Sequence, residues 1–159
     1  MKLNNRSKFI ASIFLCQFAG FLGALYTQPA IPVWYSSLLK PSFSPPNWIF
    51  APVWTGLYFL MGVAFFLIWA KAADSTQSRS AKILFLIQLG LNVAWSVIFF
   101  GLRFPFGGFL LIMLLWAMIL ATLIVFYRLS RAAGLLLVPY LAWVSFATVL
   151  NFFLWFLNK

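Results

Sequence analysis

The run Ile83-Leu84-Phe85-Leu86-Ile87-Gln88-Leu89-Gly90-Leu91-Asn92-Val93-Ala94-Trp95-Ser96-Val97-Ile98-Phe99-Phe100-Gly101-Leu102 stands between Lys82 and Arg103 and carries no charge of its own. At about 1.5 Å of rise per residue, a helix of this length crosses the ~30 Å hydrocarbon core of a bilayer. Four further runs of the same kind flank it: Phe9 to Tyr26, Trp48 to Ala70, Phe106 to Tyr127 and Gly134 to Leu157. Each is bounded by charge, proline or polar residues. The expected architecture is an all-α integral membrane protein, a bundle of five transmembrane helices forming one domain over residues 1–159. Its helices are expected at about 9–26, 48–70, 83–102, 106–127 and 134–157, with a long capping loop at 27–47.

Composition agrees with lipid as the solvent. The chain is 65% hydrophobic and only 8% charged, against roughly 25% charged residues in soluble domains. Too little polar surface exists to coat so much apolar side chain in water. The net charge is +10, and Asp74 is the only acidic residue. In a soluble protein that balance would suggest nucleic acid; here the cations flank apolar runs, where headgroups and topology place them, and no nucleic-acid partner is expected. The first run follows Lys2, Arg6 and Lys8, as a secretory signal would, but it is long and has no small-x-small cleavage site, so it is expected to stay as a helix.

The cations also predict an orientation. Lys2, Arg6 and Lys8, then Lys71, Arg79 and Lys82, then Arg128 and Arg131 fall on one side, against Lys40, Arg103 and Lys159 on the other. The positive-inside rule then puts the N-terminus in and the C-terminus out of a bacterial cell membrane.

Familiar hydrolytic chemistry lacks its parts. The chain has no histidine, a lone Cys16 and one carboxylate, so zinc, haem-ligating, Cys-His and paired-carboxylate schemes have no ligands or bases to draw on. No metal and no cofactor is expected. A transporter is an alternative reading; against it, none of the five runs contains Asp, Glu, Lys, Arg or His to couple ions, and no inverted repeat is visible.

What remains is binding. In the opening run, Gln88, Asn92, Trp95 and Phe99 share one helical stripe, and Gly90, Ala94 and Gly101 share the opposite one. Amides inside lipid need partners or a cavity, so the first stripe is expected to face a pocket. The second has the small-residue spacing of a close helix contact and is the candidate homodimer face. In the fifth run, Pro139, Trp143, Ala147, Leu150 and Asn151 share a face; in the second, Trp54 and Tyr58 lie one turn apart. The loop between the first two runs carries Pro29, Pro32, Pro41, Pro45 and Pro46 with Trp34, Tyr35 and Phe43, and is expected to fold over the bundle. A pocket of tryptophans and amides without acids suits a large, flat, apolar ligand, stacked on rings and oriented by amides. A ligand with carboxylates would find Lys40 or Arg103 at the interface.

Several segments together resemble the translocator protein family, also called tryptophan-rich sensory proteins or peripheral benzodiazepine receptors (TspO/MBR). They are Trp34 to Trp48 (WYSSLLKPSFSPPNW), Pro52 to Tyr58 (PVWTGLY), Gln88 to Trp95 (QLGLNVAW), Phe99 to Arg103 (FFGLR) and Pro139 to Asn151 (PYLAWVSFATVLN). The resemblance is carried by the first loop and by the second, third and fifth runs. It implies a tightly packed, often dimeric five-helix bundle that binds porphyrins such as protoporphyrin IX, sterol-like molecules and benzodiazepine- or isoquinoline-type ligands beneath the first loop. By resemblance Trp54, Asn92, Trp95, Trp143, Ala147 and Leu150 are pocket positions, with Tyr35 and Trp48 above or beside them; Tyr58 and Gln88 join them from the stripes. In some bacterial members, tryptophans matching Trp54 and Trp143 are implicated in light- and oxygen-dependent porphyrin breakdown, which makes them the candidate catalytic residues. The animal family's cholesterol-recognition tyrosine is not matched: Phe152 and Phe153 stand in its place.

Overall fold

A computed structural model describes residues 4–71 and 75–159, with only the backbone for Lys71. Lys2, the Lys71 side chain and Asp74 therefore lie outside the described residues. All regular structure among them is helical: α1 (Asn5–Ala30), α2 (Phe50–Lys71), α3 (Thr76–Ser96), α4 (Pro105–Leu129), a short α5 (Arg131–Leu135) and α6 (Val138–Leu157). Five of these segments are long and apolar enough to cross a membrane, and the chain is a multi-pass membrane protein.

The helix starts follow local chemistry. Asn4 Oδ1 accepts from the Ser7 N–H, and Ser75 Oγ accepts from the Ser78 N–H, each satisfying a free donor of the first turn. Proline opens α4 at Pro105 and stands near the start of α6, where its missing N–H removes no helical bond.

The first helix departs most from the sequence expectation. It runs through Pro29 and continues as a π-helical stretch, Ile31–Tyr35. Residues 27–35, expected as the first half of the capping loop, are helical. In lipid a broken helix leaves polar groups unsatisfied, so the chain shifts register around Pro29 and Pro32 instead of uncoiling. Ser36 Oγ donates to the Pro32 carbonyl and its N–H to Ile31, satisfying two of the carbonyls the shift leaves free. A second π-helical stretch, Val97–Gly101, ends α3, and the Leu102 N–H donates to the Val97 carbonyl at 2.8 Å.

Side by side, the helices form a ring in the order α1, α2, α6, α4, α3. α1 packs closely on α2, and α4 on both α3 and α6, whereas the backbones of α2 and α6 approach each other little. Rings cross that gap: Trp54 lies 6.2 Å from Tyr140, and Phe50 6.1 Å from Trp143, both edge-on. One half of the bundle is filled by Phe65, Phe85 and Phe126, stacked at 4.7 and 5.6 Å, with Met61, Ile68, Ile112 and Ile119. The other half, toward the first loop, is hollow.

The remaining loop is pinned rather than free. Asn158, just past α6, accepts from the Leu39 N–H at 2.9 Å and donates to the Leu39 carbonyl at 3.0 Å. Phe43 meets Phe146 and Phe153 edge-on. The loop is thereby tied to the C-terminal helix.

Candidate ligand-binding cavity

The hollow half holds a cavity of about 560 Å³ between α1, α2, α3 and α6, within the 300–1,000 Å³ typical of small-molecule sites. Its walls include Tyr35, Trp48, Trp54, Tyr58, Asn92, Trp95, Trp143, Ala147 and Leu150, brought together from α2, α3, α6, the π-helical end of the first span and the 3-10 turn Asn47–Ile49 that leads into α2. Among the described lining residues none is charged. Phe99 and Phe100 close the upper wall; Trp95 stacks on Phe99 at 5.5 Å and meets Phe100 edge-on. Both π-helical stretches supply lining residues, Ile31 and Tyr35 from one, Phe99 and Phe100 from the other. Such irregular turns recur at functional sites because they re-aim side chains.

The floor is a hydrogen-bonded chain. Tyr58 Oη donates to Asn92 Oδ1 at 2.6 Å, and Asn92 Nδ2 donates to Tyr140 Oη at 2.7 Å. Tyr140 Oη then donates to Gln88 Oε1 at 3.1 Å. All four residues are buried. The chain fixes Asn92, which keeps one N–H and acceptor capacity for a ligand. Gln88 does not line the cavity: it stands one layer behind, reached only through Tyr140. The stripe rule places Gln88 and Asn92 on one face, but Tyr140 from α6 fills the space in front of Gln88.

The mouth opens sideways between α1 and α2. Phe21, Gln28, Trp48, Ala51 and Thr55 line the cavity and are also exposed, Trp48 by 73%. Gln17 Nε2 donates to the Thr55 carbonyl at 3.1 Å across this seam. Lys40 lies outside the cavity, its ammonium 4.9 Å from the centre of the Tyr35 ring; Arg103 is exposed at the α3–α4 turn and does not line it. α1 comes close because Gly20 has no side chain. A Cβ there would sit 2.5 Å from Tyr58 Cδ2.

The wall from α1 was missed in the sequence, although Gln17, Gly20, Ala24, Thr27 and Ile31 follow each other by three and four residues, a small-and-polar stripe of its own. Tyr140 was missed as well, since a tyrosine in an apolar run gives no sign of what it bonds. Of the candidate dimer face, Gly90 is exposed with open space around it and Ala94 is half-buried; Gly101 is exposed, yet a Cβ on it would lie 2.9 Å from the Tyr26 ring of α1.

Fold and cavity together define a polytopic helical membrane protein built around an uncharged, aromatic-walled chamber. Residues 12–156 match the TspO/MBR family. The chain belongs to that family. It is 44% identical over 146 residues to the tryptophan-rich protein TspO of Chlorobaculum tepidum, covering 92% of each chain. It is 40% identical over 137 residues to the translocator protein of Bos taurus, covering 86% of this chain and 81% of the relative. To the tryptophan-rich sensory protein of Cereibacter sphaeroides it is 39% identical over 119 residues, covering 75% and 73%.

Proposed function

We propose that this protein is a membrane receptor for flat, largely apolar ligands, porphyrins such as protoporphyrin IX foremost, acting in tetrapyrrole sensing or regulation. Sterol-like and benzodiazepine- or isoquinoline-type molecules form the wider ligand class. The observation that carries this reading is the cavity walled by Trp54, Trp95 and Trp143 with Asn92 at its floor. Indole faces supply stacking area, and a few fixed amides orient the ligand's polar atoms. A porphyrin's propionates would stay outside the uncharged chamber, where Lys40 and Arg103 are cations of that end of the bundle.

Titrating protoporphyrin IX against tryptophan fluorescence tests it. Saturable quenching is expected in the wild type, and Trp54→Phe/Trp143→Phe should weaken binding by about tenfold or more, as for buried aromatic anchors. An unquenched wild type, or a double variant that titrates like it, sinks the reading.

The same two indoles favour a second activity, light-dependent breakdown of bound porphyrin with dioxygen as oxidant. Illumination should then bleach the complex faster than free porphyrin at equal detergent, and Trp143→Phe should slow it. Bleaching that ignores Trp143 removes this second activity and leaves binding intact.

A homodimer through the α3 face of Gly90 and Ala94 completes the proposal; Gly101, expected on the same face, is turned toward the Tyr26 ring of α1 and is left out of it. Gly90 lies open to a neighbour, as close helix contacts in membranes require. Gly90→Leu should convert a crosslinkable dimer into monomer; crosslinking that persists in this variant excludes the face.

A further inference from the structure

Asn151 is 1% exposed and lines the cavity from α6. Its Oδ1 accepts from Trp95 Nε1 at 3.2 Å. An indole N–H can only donate, so the amide has one admissible orientation: the oxygen faces Trp95, and the NH2 group faces away. Gly108 of α4 also approaches the Oδ1 edge, since a Cβ there would lie 3.3 Å from that oxygen. The amide oxygen is thus held between α3 and α4. Nδ2 is buried and has no protein acceptor, a state that costs about 1–3 kcal/mol when nothing compensates it. The open space beside this residue is the cavity.

We propose that Asn151 is a specificity-determining ligand contact, its Nδ2–H held by Trp95 to receive an uncharged carbonyl oxygen of the ligand. The proposal rests on the ligand-binding reading above and narrows it to one end of the cavity. The acceptor is uncharged because no described lining residue is a cation, and a carboxylate taken out of water without one is strongly penalised. A carbonyl needs only the one donor. Charged groups of a ligand are left to the mouth.

The probes that test this are 9-fluorenone, fluorene and fluorene-9-carboxylate, three flat molecules differing at one carbon. Affinities are measured by calorimetry in lipid nanodiscs, with empty discs subtracted and protoporphyrin IX titrated in parallel. The wild type should bind fluorenone about tenfold tighter than fluorene, as one well-made hydrogen bond in a dry site allows, and should bind the carboxylate more weakly than fluorenone. Asn151→Leu should leave fluorene within about twofold and bring the fluorenone-to-fluorene ratio to about one. Trp95→Phe, which leaves Asn151 in place but frees its amide to turn, should also lower that ratio, a change that simple loss of packing would not produce. Should Asn151→Leu fail to fold, the Trp95→Phe comparison alone decides. A ratio near one in the wild type while protoporphyrin IX still binds overturns the subsite and spares the receptor reading. A ratio unchanged in both variants overturns it likewise. Loss of all binding, porphyrin included, overturns both.

Discussion

At the scale of single residues, the cavity floor shows how amides survive in an apolar bundle. Each interior partner of the Tyr58–Asn92–Tyr140–Gln88 chain both gives and takes a hydrogen bond. Tyr140 holds the middle. Tyr140→Phe keeps the ring against Trp54 but strips the acceptor of Asn92 Nδ2 and the donor to Gln88 Oε1. Gln88 Nε2 already lacks a partner, so the variant would leave Gln88 wholly unpaired. The expected cost is about 1–2 kcal/mol, toward the upper range for hydrogen bonds between membrane helices because two groups are orphaned. Thermal unfolding in detergent should show it, together with weaker porphyrin binding as Asn92 loses its anchor; equal melting temperatures would mean the chain is slack. Asn92 was readable in the sequence because an amide in a membrane run demands an explanation. Tyr140 was not, because its role depends on which helix faces α3, and periodicity within one helix does not say.

At the scale of elements, the five spans were legible from length and charge, since lipid admits few other ways to bury such runs. Their ends were less so. Proline marks a helix end in water, yet α1 passes Pro29 and shifts register at Ile31–Tyr35, because uncoiling costs more in lipid. The close approaches of helices were legible only as glycines without addresses. At Gly134 in α5, a Cβ would stand 2.6 Å from Tyr127 Cα and 2.8 Å from its nitrogen. Backbone cannot swing aside, so Gly134→Ala should separate α5 from α4 and cost about 1–3 kcal/mol. Gly20→Ala meets the Tyr58 ring, which its bond to Asn92 holds in place. It should displace α1 and reduce porphyrin affinity more than stability. Gly90→Ala meets nothing within 4 Å inside its own chain and, measured on detergent-dissociated monomer, should melt within about 0.5 kcal/mol of wild type, as surface changes do. Comparing melting curves and porphyrin titrations across the three variants checks the ranking; a Gly90→Ala as damaging as Gly134→Ala would contradict this account of the packing.

For the whole molecule, the cavity sits in one half of the bundle, and charge suggests which half faces out. Arg6, Lys8, Arg79, Lys82, Arg128 and Arg131 cluster at the end away from the cavity, whereas Lys40, Arg103 and Lys159 mark the end nearest it. In a bacterial cell membrane the cation-rich end stays inside. The expected orientation is N-terminus in and C-terminus out, with the mouth between α1 and α2 opening toward the outer leaflet. An apolar ligand dissolved in that leaflet would then meet Phe21, Trp48 and Thr55 without crossing the bilayer centre. Reporter fusions decide the orientation: alkaline phosphatase on the C-terminus should be active and a cytoplasm-dependent fluorescent protein there should be dark. Replacing Arg79, Lys82, Arg128 and Arg131 by glutamine should raise the share of inverted molecules, because the bias lies in the short loops near span ends. A C-terminal fluorescent fusion that glows in the wild type would reverse the orientation and place the mouth in the inner leaflet. Quenching of the exposed Trp48 by a lipid-borne quencher confined to one leaflet reads the same geometry from the cavity side, and should follow the outer leaflet.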